Sequence, residues 1–122
     1  MSIRRIKSYT AETGYVYQYH FEGVRSGPEA SGRTGQRGSE YVFTVTRDRK
    51  HSYPVPVFLR RAALEAWARA HGRALSSAEQ YAAVKMRLFR AFDEIADLEP
   101  ARLSLEVTPD NIEELLAPLS LD

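Results

Sequence analysis

Three histidines and one pair of carboxylates are the side chains in this 122-residue sequence with the most versatile chemistry. His20 stands two residues before Glu22, His51 follows Arg49 and Lys50, and His71 falls near the end of a helical pattern. No two are spaced to share a helix face, and no HExxH-type pattern occurs, so they read as separate surface or capping residues. Asp93 and Asp97 are i,i+4 and would share one helix face beside Glu94. Paired acids alone specify no metal, and magnesium sites of this type also need a phosphate-bearing substrate. Near a helix C-terminus the three acids meet an unfavourable dipole, and Arg4, Arg5 and Lys7 are the cations expected to compensate them. Walker A, GxSxG and GxGxxG patterns are absent. GRTGQRG resembles a phosphate cradle only loosely, lacking the lysine–hydroxyl ending and a helix behind it. No catalytic residue, metal site or cofactor is implied, and a small non-enzymatic binding protein is the reading favoured over an enzyme.

The basic residues form a clearer pattern. Arg25, Arg33 and Arg37 are carried by GVRSGPEASGRTGQRGSE, which holds five of the seven glycines and no aromatic. A connection this long is usually functional or disordered, and residues 24–38 read as a flexible Gly/Arg-rich loop. Arg47, Arg49, Lys50 and His51 crowd into RDRKH, between two strand-like runs. Glycine-spaced arginines can follow phosphates, and a basic β-ribbon fits a nucleic-acid groove. Nucleic-acid binding through these seven residues is therefore the first functional expectation.

The charge is lopsided. Up to Arg90 there are sixteen Lys and Arg against seven Asp and Glu; beyond it Arg102 stands against nine acids. The acidic C-terminal segment, residues 98–122, carries Ile112, Leu115 and Leu116 at helical spacing. Such a segment can dock in a partner's groove, giving the alternative expectation of a protein-interaction or regulatory module, with a hetero-partner or a second copy. It can equally cover this chain's own core.

These residues must be positioned by ordinary elements. GYVYQYHF alternates Tyr15, Tyr17, Tyr19 and Phe21 with Val16, Gln18, His20 and then Glu22, which predicts a strand over 14–22. YVFTVT and SYPVPVF predict two more, joined by the RDRKH hairpin. Pro54 and Pro56 remove two donors from one side of the third strand, which marks it as an edge. Residues 59–71 have helical periodicity and Gly72 is a natural stop. Ser76 and Glu79 form a capping-box signature for a second helix running to about residue 96. After Pro100, RLSLEV predicts a last strand, and Thr108 is expected to cap a short helix with Pro109 at its first position. Residues 3–7 are a further strand candidate. The order β-β-β-α-α-β-α implies one α+β domain over 1–122: a mainly antiparallel sheet of three to five strands with two amphipathic helices on one face.

The aromatic stripe is either a stacking platform or the inward face of its strand. An aromatic side chain buries ~150–250 Å², worth roughly 4–6 kcal/mol as an upper bound, against ~1–3 kcal/mol per stacked base. Two long helices also need an apolar surface to cover, so the stripe is expected to be core, with Tyr15 at the strand start as the member placed to line a cleft.

Cysteine is absent, which excludes disulfides and thiolate chemistry. Neither a secretory leader nor an apolar stretch long enough to span a bilayer is evident, so a soluble cytoplasmic protein is expected.

Overall fold

The computed structural model describes residues 5–26, 37–95, 98 and 105–121. Five strands form one sheet in the order β1-β2-β3-β4-β5. They are β1 (Lys7–Thr10), β2 (Val16–Ser26), β3 (Gly38–Thr46), β4 (Ser52–Arg60) and β5 (Glu106–Val107). The first four pair antiparallel, and β5 joins β4 in parallel. Helices α1 (Arg61–His71) and α2 (Ser77–Glu94) connect β4 to β5, and α3 (Ile112–Leu116) follows. The fold is α+β, as the alternation of periodicities implies.

The inner face of the sheet is built from alternate residues, as period-two patterning requires. Tyr17, Tyr19, Tyr41, Phe43, Val45, Tyr53, Val55 and Val57 are buried there. Helix α2 lies against them: Phe92 stacks on Tyr17 at 4.2 Å, and Phe89 stacks on Tyr9 of β1 at 4.4 Å. Tyr81 closes the row edge-on to Phe21 at 5.1 Å. The stripe is thus core at its centre only, since Tyr15 and Phe21 are 46% and 39% exposed. Tyr15 precedes β2, and a bulge between Phe21 and Gly23 breaks the alternation at the other end.

Several boundaries differ from expectation for local reasons. The first described strand is Lys7–Thr10, whose Tyr9 packs on Phe89; of the 3–7 candidate, residues 5 and 6 precede it and residues 3 and 4 lie outside the described residues. Leu59 belongs to β4, paired with Ser39 and Val107, so α1 begins two residues later. Strand β4 is not an edge. Residues 54, 56 and 58 point their N–H positions to the same side, and the two prolines leave that side bare only as far as Phe58, whose N–H donates to Leu105 at 3.0 Å. Strand β5 docks there, just past the prolines. Residues 102–104 of the expected last strand lie outside the described residues. Thr108 does not cap α3 through its side chain; its carbonyl accepts from Ile112, and its N–H donates to the Asn111 side chain at 2.8 Å.

The ends of α1 and α2 behave as the sequence implies. Gly72 is left-handed at φ 74° and its N–H returns to Ala68. Ser76 and Glu79 exchange both capping-box hydrogen bonds. Arg73, which the motif does not include, grips Glu79 through both guanidinium nitrogens at 2.9 Å. This grip, with the Ser76 N–H, holds the Glu79 carboxyl down at about 2.

Phe92→Ala should cost about 3–5 kcal/mol, read as a lower denaturation midpoint with little change in slope. A carboxyl held low stabilises the fold above its ordinary value of 4.5 and stops doing so as pH falls towards about 2. Between those limits wild type should lose stability faster than Glu79→Gln; parallel acid-unfolding curves would refute the assignment.

Candidate functional site

The β3–β4 hairpin is organised by one carboxylate. Asp48 Oδ1 accepts the N–H of Lys50 and of His51, each at 2.8 Å, and these bonds lower its pKa. Thr46 Oγ1 accepts the Arg49 N–H at 3.0 Å and donates to the His51 carbonyl at 2.7 Å. An acidic side chain in such a turn satisfies backbone donors locally, so the basic residues 47, 49, 50 and 51 are all left exposed at the tip. Arg47 lies over the Tyr15 ring at 4.4 Å, and the His51 ring lies 5.9 Å from that of Tyr53.

Below the tip extends the face of the sheet that α1 and α2 do not cover. Strand alternation places Ser8, Gln18, His20, Thr44, Thr46 and Ser52 there, and registers Ser8–Gln18–Thr46–Ser52 as one cross-strand row. Glu22 is the extra residue of the β2 bulge, and bulges re-aim side chains. Its Oε2 meets His20 Nε2 and accepts from Thr44 Oγ1, each at 2.5 Å.

A cavity of about 250 Å³ opens on this face, lined among others by Gln18, His20, Thr44, Arg49 and Lys50. A second, of about 190 Å³, is lined by Arg5, Lys7, Tyr19, His20, Phe21 and Tyr81. Tyr19 and His20 belong to both, so the two are contiguous around the edge of β2. Among the described residues that line them, none is acidic. Lys85 of α2 stands beside the second cavity, with its Nζ 5.6 Å from the Tyr81 ring and 6.0 Å from that of Tyr19. Burial pushes its ammonium pKa down, and the neighbouring Lys7 pushes it further.

The seven basic residues expected to act together are not all brought together. Arg47, Arg49, Lys50 and His51 share the hairpin tip. Arg25 sits at the other end of the sheet, ion-paired with the buried Glu40 (7% exposed). From Glu40 to Thr46 is six residues of extended chain, roughly 20 Å. Arg37 lies at that end too, its carbonyl accepting the Arg61 N–H at 2.9 Å. Arg33, with most of the Gly/Arg loop, lies outside the described residues. Ile112, Leu115 and Leu116 are buried in this chain's own core, where α3 packs against α2. They present no apolar surface to a partner in this conformation.

Compensation of the helix-end acids also differs from expectation. Asp93 accepts the Tyr9 hydroxyl at 2.7 Å and the Glu12 N–H at 3.0 Å. Burial and this bond push the Tyr9 pKa up to about 12. Arg5 and Lys7 line the second cavity instead, while Arg4 and Asp97 lie outside the described residues. Among the described residues no cluster of three or more His, Asp or Glu could hold a metal ion, and no helix is long and apolar enough to cross a membrane. Sequence reasoning missed Arg5, Lys7 and Lys85 as members of one site. A signal was present in Tyr81, Lys85 and Phe89, at i, i+4 and i+8: a lysine inside an aromatic stripe.

Lys85→Met keeps the aliphatic stem and removes a charge crowded by Lys7, so in the absence of ligand it should raise Tm by about 2–4 °C. A Tm at or below wild type would show that the crowding has no energetic consequence. No family model matches this sequence, and comparisons with curated proteins and with solved structures return no match, so the site rests on its own geometry.

Proposed function

We propose that this chain binds nucleic acid, as a single strand laid along the uncovered face of the sheet and held at one end by the β3–β4 hairpin. One observation carries the reading: two adjoining cavities whose described lining residues include Arg5, Lys7, Arg49 and Lys50 and no Asp or Glu, the nearby Glu22 being engaged by His20 and Thr44. Cations left together around a groove attract a polyanion, and phosphate contacts supply most of nucleic-acid affinity. Thr44, Thr46, Ser52 and Gln18 add the hydroxyl and amide groups that commonly meet phosphate and sugar. Tyr15, with Arg47 above it, and Phe21 are partly exposed rings at the two ends of the stripe, at the margins of the helix-covered side, and a strand that turns round those margins stacks unpaired bases on them. That favours a single strand over a duplex.

The reading in which the C-terminal segment docks a partner has no comparable support, because its apolar residues are occupied in the core.

Fluorescence anisotropy with a labelled oligothymidine or oligouridine tests the proposal. Four phosphate contacts at ~0.7 each should make log K fall against log salt with a slope of about −3. Arg49→Ala with Lys50→Ala should reduce the slope to about −1.4 and weaken binding alike for every sequence tried. No binding at low salt would end the reading.

A further inference from the structure

Strand β1 begins pairing at Lys7, opposite Tyr19, whereas β2 runs on past Phe21. This mismatch leaves a notch between the start of β1, the edge of β2 and helix α2. Its walls are rings: Tyr19, Phe21 and Tyr81, with Phe21 meeting Tyr81 at 5.1 Å and still 39% exposed. Its described charged groups are cations: Arg5 and Lys7 at the lining, and Lys85 among the rings, 5.7 Å from Phe89. The partly desolvated Lys85 ammonium has the exposed Lys7 ammonium as its neighbour, and the two repel each other. An anion between them reverses the sign of that interaction through charge-assisted hydrogen bonds. The same crowding lowers the Lys85 pKa.

We propose that this notch binds a phosphate monoester carried by a nucleotide, either the phosphorylated end of a strand or a free mononucleotide. This rests on the nucleic-acid reading above for the strand-end source, and it stands alone for the mononucleotide. Charge selects the monoester. A phosphodiester bears one negative charge, while a terminal phosphate bears about 1.5–2 at pH 7, which suits three cations rather than one. The rings select a nucleotide over inorganic phosphate, since an exposed aromatic face suits a flat base. Size limits the occupant: about 190 Å³ is well under the ~300–1,000 Å³ of pockets that enclose drug-sized molecules, so the notch takes the phosphate and part of one nucleotide, and the rest stays outside it. Continuity through Tyr19 and His20 lets the rest of a strand pass onto the outer face towards Arg49 and Lys50.

The test uses the full chain and single-stranded 12-mers of one sequence bearing a 5′-phosphate, a 3′-phosphate or neither, with adenosine 5′-monophosphate and adenosine as small probes. A phosphorylated 12-mer should bind about tenfold tighter than the unphosphorylated one, and the monophosphate should raise Tm where adenosine does not. Lys85→Met, and independently Lys7→Ala, should reduce the preference to less than about twofold while circular dichroism stays that of wild type. Arg49→Ala should weaken all three 12-mers alike. If the three bind equally and the monophosphate behaves as adenosine, the notch is not a phosphate site although the nucleic-acid reading survives. If no 12-mer binds but the monophosphate stabilises the chain through Lys85, the site stands and the nucleic-acid reading falls. A preference that persists in both lysine variants overturns the assignment to this notch.

Discussion

Packing of α2 across the inner face of β1, β2 and β3 is the constraint on which the rest depends. Tyr17 against Phe92 and Tyr9 against Phe89 are near-parallel stacks, and Tyr19, Phe43 and Tyr81 fill between them. Rings of this size supply much of a small domain's apolar burial. Their number on one face determines which way each strand turns. Once Tyr17 and Tyr19 are inward, Gln18 and His20 must be outward. Once Tyr9 is held on Phe89, Lys7 is carried to the margin opposite Tyr19 and within reach of Lys85. The polar face and the cationic notch are consequences of the aromatic core rather than separate features.

What the sequence made legible follows the range of the interactions involved. The Ser76–Glu79 capping box, the Gly72 stop and the β3–β4 hairpin are set within a few residues, and they appear where pattern places them. The prolines of β4 were legible as missing donors. That β5 could still dock at Phe58 depends on a strand nearly fifty residues on, which no local pattern reports. Strand β1 escaped for a related reason: KSYT has one inward ring, and its meaning lies in Phe89 on α2. The basic hairpin was readable because a turn tip is polar and its charges adjoin in sequence. Arg5, Lys7 and Lys85 adjoin only in space.

Stability and function pull apart at Lys85. A lysine between Tyr81 and Phe89 on a helix that covers a core would serve packing better as methionine or leucine. Its neighbours offer ring faces, which stabilise an ammonium modestly when exposed, and Lys7, which opposes it. Local arrangements that work against folding concentrate where a ligand completes them.

By net charge alone, +1, this chain is a poor partner for a polyanion, and the pairing pattern shows why net charge misleads here. Acids of the C-terminal segment are engaged on the helical side and the far sheet end: Glu106 with Arg60 at 2.6 Å, Glu113 with His71 at 3.0 Å and Glu114 with Arg90 at 3.5 Å. They offset cations remote from the hairpin and leave the cavity-lining ones uncompensated. Screening sharpens the separation, since exposed charges farther apart than about 8 Å barely interact at physiological salt. Around the two cavities Arg49, Lys50, Arg5 and Lys7 therefore form a local excess of positive charge over Glu22, whatever the total. Within the acidic segment, Leu115 and Leu116 close the core behind α2, while Glu106, Glu113 and Glu114 are held at Arg60, His71 and Arg90, none of which lines either of the two cavities.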